Sequence, residues 1–265
     1  MSGTLDLSAL DLALGVSLVL GAGLVSFALR LGLEKRLAIA SLRTVLQLLL
    51  IGYLLRFIFG LQSALAVLPL VFVMIFLAAR TALGRPRRRF QGGGALAFLS
   101  LAASALLTTF AVTSLVIGVD PWFAPRYVIP LIGMVLGNSM NGISLSLDAL
   151  LEHLAERADE VELELSLGAN AREAARRPLQ EAVRRGMIPI LNTMMVVGIV
   201  SLPGMMTGQI LAGADPMLAV KYQILIMFMI AASTAMGAML MSVLTVRKLF
   251  SREQRLLRER ILRRN

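Results

Sequence analysis

ALAVLPLVFVMIFLAARTAL, residues 64–83, runs straight into GRPRRR, residues 84–89. The first twenty residues carry a single charge, Arg80, close to their end. As a helix rising 1.5 Å per residue they match the ~30 Å hydrocarbon core of a bilayer. Lipid offers no hydrogen-bond partners, so such a block must satisfy its own backbone as a helix. A barrel strand would alternate apolar and polar residues, and this block does not. The arginines that follow resist translocation, which places that end in the cytoplasm.

The same pattern recurs outward in both directions. Spans are predicted at residues 12–29, 37–59, 64–83, 95–118, 128–151, 187–211 and 217–246. The expected fold is all-α, a polytopic transmembrane helical bundle of about seven spans forming one domain over residues 1–265. Counting the intervening bases gives 22 of the 26 Lys and Arg on one side, in connections 30–36, 80–89 and 157–185 and in the tail 247–264. Seven spans account for that bias and six do not, so the amino terminus is expected outside and the carboxyl terminus inside.

Composition agrees. Hydrophobic residues make up 57% of the 265 and mean hydropathy is +0.80, against about 45–50% apolar in soluble domains. The net charge of +10 fills the gaps between apolar blocks, which argues for membrane lipids as partners and against nucleic acid. Cysteine is absent and His153 is the one histidine, which excludes thiolate and His-rich metal sites. No Gly-x-x-x-x-Gly-Lys-Ser/Thr loop occurs, so any ATP and Mg chemistry belongs to another polypeptide and this chain binds no cofactor itself. The chain is therefore not expected to be an enzyme.

Four groups of residues invite a functional reading. Arg43 and Gln47 lie four apart in the second span and share a helix face; the alternative to a pathway role is snorkelling to lipid phosphates. Asn138, Asn141, Ser144 and Asp148 form one stripe of the fifth span, suited either to interhelical hydrogen bonds or to a polar translocation face. Gly133, Gly137 and Gly142 on the same span allow close backbone approach. The sixth span contains Pro189 and is interrupted at SLPGMMTGQ, residues 201–209, which includes Pro203, Gly204 and Gln209. Broken backbone at membrane depth is tolerated where it is buried or lines a cavity.

The cytoplasmic segment 152–186 holds eight acids and six bases and reads as helical, with a small turn at Gly168-Ala169-Asn170 and a charged helix ending near Pro178. It suits docking into a groove of another protein; the alternative is a solvated loop helix. Thirteen of 15 methionines fall at or after Met134, a bias that fits flexible packing better than soft-metal ligation. The tail 247–265, with leucines among arginines, is expected to lie along the anionic inner leaflet.

Residues 200–209, VSLPGMMTGQ, with Asp215-Pro216 and AVKYQI at 219–224, closely resemble the FetB-type family of ABC transporter permeases. So do RTVLQ at 43–47 leading to Gly52-Tyr53, PLIGM at 130–134 with GNSM at 137–140, and LSLGA at 165–169. The resemblance covers roughly residues 30–250. It implies a multi-pass permease of the bacterial inner (plasma) membrane, paired as a homodimer with a separate ABC ATP-binding subunit. Bacterial members are described as iron exporters, and plant relatives are linked to aluminium tolerance. The coupling helix to the ATPase would then comprise Glu164, Gly168, Ala169, Asn170, Glu173 and Arg177. The spacing of broader ABC permeases, Glu-Ala-Ala, then Gly, then Ile-x-Leu-Pro, is not matched: Glu162-Leu163-Glu164 precedes Gly168, and Pro178 and Pro189 fall at other intervals. The resemblance carries over no individual metal-handling residue; the polar and broken stretches above give the expected substrate pathway as Arg43, Gln47, Asn138, Asn141, Asp148, Pro203, Gly204 and Gln209. For a hard metal, oxygen donors are preferred, so the expected metal contacts are Asn138, Asn141, Asp148 and Gln209. Alternatives are an ABC importer permease for another small solute, and an ATP-independent receptor or channel.

Overall fold

The computed structural model describes residues 8–61 and 63–263. The acidic start at residues 1–7 and Arg264 of the tail lie outside them. The described chain is helical almost throughout: α1 (Ala9–Ala28), α2 (Glu34–Leu61), α3 (Ala64–Leu83), α4 (Gly93–Phe110), α5 (Pro125–Glu156), α6 (Ala158–Ser166), α7 (Ala171–Ala174), α8 (Arg176–Val196), α9 (Gly204–Leu211) and α10 (Pro216–Leu249). α4 continues as a π-helix over Ala111–Ile117, stopped by Gly118 at φ 71°. Two short strands, β1 (Arg88–Arg89) and β2 (Leu262–Arg263), pair antiparallel.

Local chemistry explains the helix starts. Ser8 and Asp11 form a capping box on α1, and the Asp215 carboxylate accepts from the Leu218 N–H at 2.9 Å at the head of α10. α5 and α10 begin at Pro125 and Pro216, whose missing N–H is not needed in a first turn.

α5 is the hub. It packs against α3, α4, α8 and α10, while α10 also meets α4, α8 and α9. Its core includes Ile132, Val135, Ile143, Leu147, Leu150 and Leu154, all buried. α1 and α2 pack chiefly on each other and are largely exposed. At about 1.5 Å per residue, α5 and α10 exceed the ~30 Å core, so their ends reach beyond it.

Six described helices are long and apolar enough to cross a membrane: α1, α2, α3, α4 with its π extension, α5 and α10. The expected sixth span, 187–211, is not one helix. α8 ends at Val196, residues 197–203 form a tight loop in which Gly198 takes φ 84°, and α9 resumes after Pro203. The Gly198 N–H donates to the Ser201 carbonyl at 2.9 Å, replacing helical bonds with a local one. Glycine permits the positive φ and proline cannot donate, so the helix stops there.

Two further expectations are corrected. Pro178 does not end a helix; it sits in the first turn of α8, where proline is tolerated. The tail does not lie free along a leaflet. It folds back on the protein, burying Leu256 and Ile261 and pairing Arg263 with Arg88 through β2 and β1.

Candidate functional site

The polar stripe of α5 is met by the loop between α3 and α4. The Arg85 guanidinium donates to Asn141 Oδ1, and the Arg87 backbone N–H donates to Asp148 Oδ1 at 2.7 Å. Arg85, Asn141 and Asp148, with Pro86, Ser144, Leu145 and Pro189, surround a cavity of about 330 Å³. Further along the same face, Glu152 lies 3.6 Å from Arg185 of α8, and Glu156 lies 3.2 Å from Arg88.

Asp148, Glu152 and Glu156 are spaced four apart and therefore stack along one side of α5. Each carboxylate is answered by an arginine or its backbone from another element. Sequence reasoning singled out Asp148 and passed over the two glutamates, although their spacing continues the stripe. Arg88 and Glu156 are 25% and 59% exposed, and Arg185 and Glu152 are 51% and 39% exposed. Pairs this open contribute about 0–1 kcal/mol.

The other expected pathway residues are dispersed. Asn138 is half-buried, and its Nδ2 donates to the Met134 carbonyl one turn back at 2.9 Å. It does not line the Asn141–Asp148 cavity. Gln209 is on α9, with its Oε1 buried and without a hydrogen-bond partner. Gln223, on the neighbouring α10, is 6% exposed and its Oε1 is likewise unpartnered; sequence reasoning noted it only as part of a motif. A buried carbonyl left unpaired costs about 1–3 kcal/mol, so these two oxygens are open to a donor or a cation. Pro203 and Gly204 build the start of α9, the Pro203 carbonyl accepting from the Thr207 N–H at 3.0 Å. Arg43 and Gln47 are exposed on α2, and their side chains make no hydrogen bond among the described residues. No cluster of three His, Asp or Glu side chains able to hold a metal ion occurs among the described residues.

The charged segment between α5 and α8 is a compact elbow. Gly168 turns the chain at φ 97° between α6 and α7. Asn170 Oδ1 accepts from the Arg172 and Glu173 N–H groups at 3.0 and 3.1 Å, and Glu173 Oε2 accepts from the Asn170 N–H at 2.8 Å. These two residues hold the elbow's shape. Ala169 is half-buried, its N–H donating to the Glu164 carbonyl at 3.1 Å, while the Glu164 and Arg177 side chains are exposed. Leu163 of α6 and Leu167, which caps its C-terminal end, are 60% and 79% exposed. Sequence reasoning passed over both, although they lie four residues apart among acids. The tail touches this elbow: Gln254 Oε1 accepts from the Ala171 N–H at 2.6 Å, and Arg258 lies 3.8 Å from Asp159.

Comparison with known proteins adds the lineage. A family model described as "Uncharacterised protein family (UPF0014)" matches residues 9–250. The UPF0014 membrane protein YjkA of Bacillus subtilis is 41% identical over 247 residues, covering 93% of this chain and 97% of that one. The "Probable iron export permease protein FetB" of Escherichia coli is 32% identical over 247 residues, covering 93% of each. The "Protein ALUMINUM SENSITIVE 3" of Arabidopsis thaliana is 34% identical over 223 residues, covering 84% of this chain and 80% of that one. No solved structure matches the chain. Agreement over nearly the whole length, in a polytopic helical membrane protein, makes this chain a member of the UPF0014 family, the one to which the FetB-type permeases belong.

Proposed function

We propose that the chain is the transmembrane subunit of an ABC transporter that exports a metal cation, iron in the first instance, with ATP and Mg bound on a separate ATP-binding subunit. Two permeases and two ATPases would form the transporter in the inner (plasma) membrane. The orientation is amino terminus out and carboxyl terminus in, with seven crossings, the sixth made by α8 and α9 together. Packing of both α8 and α9 on α10 supports that crossing.

One observation carries the reading: the elbow at residues 157–175 is joined through the tail to the loop that covers Asp148. Ala171 bonds Gln254, and β2 of the tail pairs with β1 at Arg88 and Arg89. Immediately before β1, Arg85 and Arg87 hold Asn141 and Asp148. A push on α6 and α7 by an ATPase is thereby passed to the polar face of α5. Closure of the ATPase pair draws the loop off the stripe, and Asn141 and Asp148 accept the cation in place of Arg85 and the Arg87 N–H. The broken α8–α9 pair then re-aims, giving alternating access. Gln209 and Gln223 offer oxygen to the departing cation, as a hard metal requires.

Reconstitution with the ATPase in vesicles, following transport of several labelled metals, tests this. ATP-dependent movement of iron, with hydrolysis stimulated by the same metal, is expected. Transport by this chain alone, with no ATP-hydrolysing companion bound at α6 and α7, would overturn it.

A further inference from the structure

A cleft of about 1020 Å³ opens between α3 and α4 at the basic end of the bundle. Phe72 and Phe76 of α3 face Phe98 and Leu99 of α4 across it, and the Phe72 and Phe98 rings lie 5.4 Å apart. Gly93, Gly94 and Ala95 line the α4 side and add no bulk to fill it. Phe72, Phe76 and Leu99 are 58%, 51% and 53% exposed, so the cleft opens sideways, toward the surrounding bilayer. Arg80, Arg88 and Arg89 stand on its rim. Arg88 is paired with Glu156, whereas Arg80 and Arg89 have no carboxylate partner among the described residues.

An aromatic-walled slot beside unpaired arginines matches one kind of molecule. Its walls suit an acyl chain, and guanidinium groups bind phosphate through paired N–H donors. Basic pockets between membrane helices hold anionic head groups for this reason. We infer that the α3–α4 cleft binds one anionic phospholipid, its phosphate held by Arg80 and Arg89 and an acyl chain lying between the phenylalanines. The site borders the Asp148 cavity through the 84–89 loop but has its own lining, and it is independent of what the protein transports.

The full-length protein in detergent, titrated with phosphatidylglycerol, phosphatidylcholine or soluble glycerol phosphate, tests the inference by native mass spectrometry and thermal melting. The wild type should retain one phosphatidylglycerol per protomer, with a preference over phosphatidylcholine of about tenfold or more, given two arginines at head-group depth. Arg80→Gln with Arg89→Gln should abolish that preference, and Arg80→Lys with Arg89→Lys should keep most of it. Gly94→Leu, where a Cβ meets nothing within 4 Å, should leave folding intact and reduce retention of either lipid. Equal retention of the two lipids by the wild type would overturn the site. So would an unchanged preference in the glutamine pair, or its loss in the lysine pair. Protection by glycerol phosphate as strong as by phosphatidylglycerol would also overturn it, marking a soluble-anion site instead.

Discussion

Gly142 of α5 and Gly186 of α8 meet backbone against backbone. A Cβ on Gly186 would fall 2.6 Å from the Gly142 carbonyl oxygen, and one on Gly142 would fall 3.1 Å from the Gly186 carbonyl. The same Gly142 position would also strike Thr234 Cγ2 of α10 at 2.5 Å. Three helices therefore cross at one point, next to the cavity-lining Asn141 on α5 and three residues before Pro189 on α8.

Alanine at Gly186 should thus destabilise the protein, because backbone cannot move aside as a side-chain tip can. Overpacking of this kind costs about 1–3 kcal/mol. Gly137→Ala is the matched control: nothing lies within 4 Å of its Cβ, and alanine gains about 0.5–1 kcal/mol in a helix. Melting in detergent should fall for the first and hold or rise for the second. Equal melting would show that the helices do not cross at this point.

Asp148→Ala removes the acceptor for the Arg87 N–H and the first carboxylate of the α5 row. A stability loss of about 1–2 kcal/mol is expected from the bond, together with loss of metal efflux. Asn138→Ala should weaken efflux less, since that side chain bonds within its own helix. Efflux untouched in both variants would remove α5 from the pathway.

Gln223→Leu should act in opposite directions on stability and function. Replacing a buried oxygen that lacks a partner with an apolar group should raise stability by about 1–2 kcal/mol. Transport should fall if that oxygen serves the cation. A stabilised variant with full transport would reduce Gln223 to a packing residue.

Leu163→Glu with Leu167→Glu should abolish co-purification of the ATP-binding subunit while leaving the permease fold intact. Both side chains are largely exposed, and such surface changes stay within about 0.5 kcal/mol. Unchanged capture of the ATPase would exclude this end of α6 as the contact.

The amino-acid order alone determined the helical membrane class, the place of nearly every helix, and the interruption near Pro203. Each depends on a local cause: an apolar block long enough to span, a capping side chain, or a residue that cannot continue a helix. The same locality explains the misjudgement at Pro178, which reads alike as the end of one helix or the first turn of the next until the chain's path is known.

Tertiary structure decided which polar groups meet. Arg85 reaches Asn141 across 56 residues and Gln254 reaches Ala171 across 83. The tail turned inward for the same reason, since Leu256 and Ile261 found apolar cover that no pattern within the tail announces. Such pairings follow from the points at which long helices cross. Those points are set by the packing of distant small residues: the sequence marked Gly142 as able to approach another backbone, but nothing in it named Gly186 as the partner.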